Sequence, residues 1–130
     1  MTGIQMDGVH YRVRVVYDTL QESARLPDGP NAGDMLSGRY ERDLVGTYYD
    51  HQMDVEPDPR YPGDYDAFFA AITAPVATHT VVMPHGQETI TYQAMVYSAQ
   101  HTSRGKMAGK RRWHGLSVQF QANAPQRAPA

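Results

Sequence analysis

The sequence predicts a mainly β protein, an antiparallel β-sandwich or barrel with one short flanking α-helix at about 64–73 and a long loop at about 19–38. Short segments in which apolar and polar residues alternate recur along the chain, separated by glycine, proline and aspartate. Only one segment has the apolar spacing of a helix. The 130 residues suffice for a single core but not for two. We therefore expect one β-barrel-like domain over 1–123 and an extended tail over 124–130.

The first expected element is a tight hairpin at the N-terminus. Asp7 and Gly8 separate two short strand-like segments and are typical of a turn that needs positive φ. The second segment continues as a half-buried strand over 11–17, because Val13 and Val15 alternate there with arginines.

The loop over 19–38 is expected because its turn-forming residues exclude regular structure. Pro27, Gly29, Pro30 and Gly33 stand close together, and no apolar periodicity accompanies them. A loop of this length in a compact domain is usually functional or disordered. We therefore interpret it as an arm that contacts neighbouring molecules.

The one expected helix follows an amphipathic strand at 49–55. Its apolar positions have the spacing i, i+3, i+4 and i+7, and they are Tyr65, Phe68, Phe69 and Ile72. Asp64 is the expected N-cap. Such a short helix is not stable alone, so this face must pack on the sheet, and Phe69→Ala is expected to cost about 3–5 kcal/mol.

The second half of the chain predicts three further strands. Segments 78–83 and 89–97 are rich in β-branched residues and flank a turn at 84–87, as in a hairpin. A final strand is expected at 116–121, where Leu116, Val118 and Phe120 alternate with polar residues.

Composition gives no reason to expect export, membrane insertion or redox chemistry. The chain has no cysteine, no apolar run approaching the roughly 18 residues of a spanning helix, and no basic or apolar leader at its start. The net charge of −2 gives no overall affinity for nucleic acid or anionic lipid. We expect no membrane partner.

No catalytic, cofactor or metal site is recognisable, so we expect a protein that is not an enzyme. The segment from Gly105 to Lys110 is one residue short of a phosphate-binding loop, and Arg111 replaces its serine or threonine. No two of the six histidines have the helical i, i+4 spacing of a zinc site. His79 and His85 flank one turn and are the pair that could meet. A hydrolase-like accessory protein with a histidine site is a minor alternative.

Charge is concentrated in two stretches of opposite sign. Five of the twelve Lys and Arg residues lie between Arg104 and Arg112, whereas acidic residues crowd the range 50–66. Opposite patches on one small domain favour head-to-tail contacts between copies. We expect the basic stretch to be a hairpin loop that is solvated or binds protein. Ordinary solvation of both patches, and nucleic-acid binding through 104–113, remain alternatives.

Several motifs are similar to a known group of proteins and occur in the same order over most of the chain. They are Asp28-Gly-Pro-Asn-Ala-Gly33, Arg42-Asp-Leu-Val-Gly-Thr-Tyr-Tyr49, Asp64-Tyr-Asp-Ala-Phe-Phe69, Ala74-Pro-Val-Ala-Thr-His79, Pro84-His-Gly-Gln87, Trp113-x-Gly-Leu-Ser-Val118 and Ala124-Pro-Gln-Arg127. The chain thus resembles small proteins from the tail modules of prophages of Firmicutes and related bacteria.

That resemblance implies a relative of the tail-tube and distal-tail barrel, a structural protein whose copies form rings of six or three. The implied partners are further copies and other tail proteins, and DNA that passes through the lumen is a candidate partner. The implied location is the tail of the virion, after assembly in the cytoplasm of the bacterial host. The segment 105–112 departs from the pattern, because it is richer in Lys and Arg than expected for such proteins.

The residues expected at subunit contacts come from the arm, the acidic stretch, the basic stretch and the tail. They are Asn31, Asp34, Met35, Asp54, Asp58, Arg111, Arg112, Pro125 and Arg127. The competing hypothesis is a small β-barrel that binds nucleic acid through 104–113.

Overall fold

The computed structural model describes residues 3–30, 32–34, 38–107 and 110–129. The described part contains one helix, α1 (Pro62–Ile72). The strands are β1 (Ile4–Met6), β2 (Val9–Tyr11), β3 (Val13–Val15), β4 (Gln21–Arg25), β5 (Gly33–Asp34), β6 (Tyr40–Glu41), β7 (Tyr48–Pro57), β8 (His79–His85), β9 (Glu88–Met95), β10 (Gln100–Met107) and β11 (Lys110–Ala122).

The main sheet is antiparallel and closes almost completely into a barrel. Its strand order is β2-β1-β8-β9-β11-β7-β3, with β10 paired to β11 and β4 paired to β7. The long strand β11 pairs with β9 through its end and with β7 through its middle, and thereby joins the two halves. The predicted mainly β fold with one short helix is confirmed.

The barrel is nearly closed because its two edge strands are consecutive in the sequence. Only Arg12 separates β2 from β3, and the chain turns from one half of the sheet to the other there. The backbone N–H of Arg12 donates to Asp64 at 2.9 Å instead of to a strand, and its guanidinium donates to the same carboxylate at 2.8 Å. This bidentate pairing fastens α1 against the strands that it contacts, β2, β3 and β7.

The core lies inside the barrel and under the helix. The strands that line the core contribute residues at alternate positions, as in Leu116, Val118 and Phe120 of β11, all of which are buried. The two predicted hairpins, β1–β2 and β8–β9, supply many of these buried residues. Asp7 and Gly8 both have positive φ (54° and 79°), the geometry of the tight turn expected between β1 and β2.

The helix begins earlier than predicted and is capped differently. Tyr61 is the N-cap residue and makes no side-chain capping bond, whereas Pro62 occupies the first turn. Proline suits that position because its fixed φ is helical and its missing N–H would have no partner there. Asp64 is therefore not the N-cap, and its carboxylate binds Arg12 instead.

The predicted apolar face of the helix is buried except at Phe69, the residue that was expected to anchor it. Tyr65, Phe68 and Ile72 are buried, but Phe69 is only half-buried at the edge of the core. Phe68 has no exposed surface and packs edge-on against the ring of Tyr11 at 5.5 Å. Phe68, rather than Phe69, is the residue that fixes the helix to the barrel.

Part of the predicted loop over 19–38 is ordered strand. β4 pairs with β7 from Gln21 opposite Gln52 to Arg25 opposite Tyr48. All five residues of β4 are exposed, so no alternation of buried residues marks it in the sequence. Backbone pairing to β7, not burial of side chains, holds this edge strand.

The remainder of that loop belongs to a longer segment, residues 26–46, which we call the arm. Its two sides are held together at the base by a hydrogen bond from the Val45 N–H to the Pro27 carbonyl at 3.1 Å. Further along, the backbones of Asp28 and Leu44 form an isolated antiparallel β-bridge, and β5 pairs with β6. Two expected contact residues of the arm, Asn31 and Met35, lie outside the described residues.

The basic stretch is strand rather than loop. β10 and β11 form a hairpin, with Ser103 opposite Trp113 and Lys106 opposite Arg111. The expected final strand at 116–121 therefore begins earlier, at Lys110. Its first residues belong to a hairpin that extends beyond the core, so they carry charged side chains where burial would require apolar ones.

Candidate functional site

A groove of about 870 Å3 lies between the β10–β11 hairpin, the start of α1 and the end of β7. One wall carries Arg104, Arg111 and Arg112, with Trp113 beside them. The other wall, from the end of β7 and the start of α1, carries three carboxylates and four other residues, and these are Glu56, Asp58, Asp66, Pro57, Pro59, Pro62 and Gly63. The fold thus brings the predicted basic and acidic stretches of one chain to the same groove.

The acidic wall is largely neutralised by arginines of its own chain. Asp58 is buried and pairs with Arg60 at 3.0 Å, and this hydrogen bond holds the pKa of Asp58 below its usual range. Glu56 lies 3.8 Å from Arg14. Asp66 is exposed and has no ion pair within the described part of the chain. Two of the three carboxylates on this wall therefore lie beside an arginine, and Asp66 keeps its negative charge.

The basic wall keeps its charge. Among the described residues no carboxylate pairs with Arg104, Arg111 or Arg112, although Arg111 donates a hydrogen bond to the Ser103 hydroxyl at 3.1 Å. Arg104 and Arg112 are exposed. These guanidinium groups are therefore available to bind an anionic group from outside the chain.

A three-ring stack supports the hairpin wall. His101 is sandwiched between Phe69 and Trp113, with both ring centroids 4.0 Å away and interplanar angles of 15° and 10°. The Tyr65 hydroxyl lies 2.7 Å from Nδ1 of His101. Burial lowers the pKa of His101 in spite of the opposing effect of Asp66, so the ring stacks as a neutral imidazole near neutral pH. Sequence reasoning missed His101, because only the strand register places it over Trp113.

The described part of the arm presents the exposed carboxylate of Asp34 and several exposed apolar side chains. Asp28 pairs with Arg42 at 3.0 Å, and Arg39 pairs with Glu41 at 3.3 Å. Asp34 is exposed and has no ion pair to any residue that the structure describes. The large apolar residues exposed on the arm are Leu26, Tyr40, Leu44 and Val45.

The C-terminal tail lies along the base of the arm of its own chain. The Thr47 N–H donates to the Arg127 carbonyl at 2.9 Å, and the Gln126 side chain binds both backbone groups of Tyr49 at 3.0 Å. Gly46 permits this approach, because a Cβ there would lie 2.7 Å from the Arg127 carbonyl oxygen. Pro125 and Arg127 are exposed on their outer side, beside the arm.

The remaining expected contact residue, Asp54, lies in the middle of β7, opposite Ser117 of β11. Its backbone groups bind Val16 and Thr19, whereas no ion pair of its carboxylate is found in the ranges that the structure describes. Asp54 does not line the groove. The structure therefore brings Asp58, Arg111 and Arg112 together and leaves Asp34, Asp54 and the tail residues elsewhere.

Three further histidines make hydrogen bonds within the fold. His79 lies 2.7 Å from Asp7, and His85 lies 2.5 Å from Glu22, at opposite ends of β8, so the two do not meet across their hairpin as had been considered. His51 is buried between the Tyr92 hydroxyl and the Pro84 carbonyl. No group of three or more potential metal ligands occurs in the described ranges.

Comparison of the sequence with models of known protein families gives no match. Comparison with curated proteins gives no significant match either. Among the described residues, no helix has both the length and the apolar character needed to cross a membrane.

Proposed function

We propose that this chain is a non-enzymatic structural subunit of a phage tail or of a prophage-derived tail particle. Copies associate into rings of three or six and contact other tail proteins, after assembly in the cytoplasm of the bacterial host. The resemblance of the sequence motifs supports the assignment to a tail. The observation that carries the proposal of assembly is the arm, whose described residues include several exposed apolar side chains.

The arm is energetically unusual for an isolated molecule. Fixing a residue's backbone costs about 1–2 kcal/mol, and an element normally recovers this cost by burying apolar surface. Tyr40 is 54% exposed, Leu26 48% and Leu44 38%, and no arm residue that the structure describes belongs to the core. Contact with a neighbouring copy would bury these side chains, and a stable contact requires roughly 1,000 Å2 or more.

Nucleic-acid binding through the groove is the second candidate function. The observation that favours it is the row of three arginines beside Trp113, a ring on which a base could stack. Asp66 in the same groove opposes it, because this exposed carboxylate repels the many phosphates of a nucleic acid more strongly than a single carboxylate. DNA affinity that falls steeply with salt would support this candidate, whereas association of protein copies that persists in moderate salt supports the first.

Replacing residues 29–43 by Asn-Gly should leave the barrel folded and abolish assembly. Asp28 and Leu44 are bridge partners, so a two-residue turn can join them without strain on the barrel. Circular dichroism measures folding, and sedimentation velocity measures the mass of the particles.

A matched pair of point variants distinguishes an effect specific to the arm from an effect of removing exposed apolar side chains in general. Tyr40→Ala with Leu44→Ala should weaken assembly, but Tyr17→Ala with Val76→Ala, both exposed outside the arm, should not.

Two results would contradict the role given to the arm. Assembly that is unchanged by the replacement would show that the arm is not a subunit contact. An unfolded product would show that the arm belongs to the folding unit of the barrel.

A further inference from the structure

We propose that the arm of one copy docks in the groove of the next copy, with the Asp34 carboxylate against the guanidinium groups of Arg104 and Arg112. This inference rests on the proposed function and names the contact by which the copies associate. It joins an exposed carboxylate of the arm, for which no ion pair is found among the described residues, to groove arginines for which none is found there either.

The two surfaces lie at opposite ends of the molecule. Tyr48, at the start of β7, pairs with Arg25 next to the base of the arm, whereas Pro57, at the end of β7, lines the groove. The ten residues of β7 separate them by about 30 Å at the rise of an extended strand. No described residue of the arm lines the groove. Docking between copies is therefore head-to-tail, the kind of contact that generates closed rings or stacked copies.

Ion pairing within the chain favours Asp34 over Asp28 and Asp58 as the residue that binds these arginines. Asp58 is buried and paired with Arg60, and Asp28 is paired with Arg42, so neither offers a free carboxylate. On the groove side, Arg104 and Arg112 are exposed and unpaired among the described residues. A carboxylate and a guanidinium form short, directional hydrogen bonds that fix the register of a contact.

The apolar parts of the two surfaces also match. Asp34 and Tyr40 are directly opposed in the pairing of β5 with β6, so their side chains leave the same face of the arm. When Asp34 reaches the arginines, Tyr40 therefore faces the groove, where Trp113, Pro57 and Pro62 supply apolar surface. Tyrosine, tryptophan and arginine are the residues that most often dominate binding energy at interfaces.

A charge exchange tests this contact in the full chain. Asp34→Lys and Arg112→Glu, each alone, should raise the protein concentration required for half-assembly about tenfold or more. The two substitutions combined in one chain should recover most of that loss, because each interface then contains a Lys opposite a Glu. The matched control combines Asp54→Lys with Arg112→Glu, and it should show no recovery, since Asp54 does not belong to the arm.

Disulfide trapping provides a second measurement that does not depend on the strength of assembly. The chain has no cysteine, so Asp34→Cys and Arg112→Cys in separate molecules introduce the only thiols. Mixing the two and oxidising them should give a mixed disulfide, whereas Asp34→Cys with Gln119→Cys, an exposed position farther along β11, should give little.

The outcomes distinguish this inference from the proposed function. Normal assembly of the unmodified chain, without recovery in the charge exchange and without the mixed disulfide, overturns the arm-to-groove contact and leaves self-assembly standing. Trapping of Asp34→Cys with itself alone would show a symmetric contact between two arms and also overturn it. An unmodified chain that never assembles overturns both.

Discussion

Phe68→Ala should lower the free energy of unfolding by about 3–5 kcal/mol, the usual cost of truncating a fully buried aromatic residue. Phe68 has no exposed surface, and its ring fills the space between α1 and the strand that carries Tyr11. Loss of the Phe68 ring would leave a cavity under α1, which covers the junction of β2 and β3. Urea unfolding, followed by circular dichroism at a protein concentration too low for assembly, measures the change.

Phe69→Ala is the matched control, because it removes the same side chain one position further along the helix. Phe69 is half-buried and stacks on His101, so we expect a loss of about 1–2 kcal/mol from its partial burial and ring contact. A larger loss from Phe69→Ala than from Phe68→Ala would contradict the placement of the helical face.

Arg25→Ala should lower the free energy of unfolding by about 2–3 kcal/mol, because it leaves a buried carboxylate without its counterion. Asp50 is 2% exposed and receives hydrogen bonds from the Arg25 guanidinium at 2.5 Å and from the Ala122 N–H at 2.8 Å. The side chain of Arg25 is 43% exposed, which reduces the expected loss below that of a fully buried pair. The interaction links β4, β7 and β11 at the base of the arm.

Arg14→Ala is the control for this second variant. Arg14 lies 3.8 Å from Glu56 and both side chains are about half-exposed, so its removal should change the free energy of unfolding by less than about 0.5 kcal/mol. Equal effects of the two variants in chemical denaturation would show that the Arg25–Asp50 pair is no more than another surface ion pair.

The elements that the sequence predicted correctly are those whose side chains alternate between core and solvent. Met53 and Val55 identified β7, and Leu116, Val118 and Phe120 identified the middle of β11, because burial of alternate residues leaves a period of two. Turn chemistry identified the first hairpin through Asp7 and Gly8. These signals are local, so one sequence suffices to read them.

Elements that bury nothing could not be recognised in this way. β4 buries none of its side chains, and the start of β11 carries Arg111 and Arg112, so both were interpreted as loop. The register of strand pairing decides which residues line the groove. Pairing of Leu116 with Val55, together with the irregular β10–β11 pairing, decides which residues face Pro57. Sequence alone identified the two charged stretches but not that one chain brings them together.

The mass of the unmodified protein in solution tests the claim of self-assembly most directly. Sedimentation velocity over a range of protein concentrations, in moderate salt, should show the monomer converting to a particle of fixed mass. Electron microscopy of that particle should show closed rings of three or six copies. A single monomeric species at every concentration, with no rings in the images, would contradict the account.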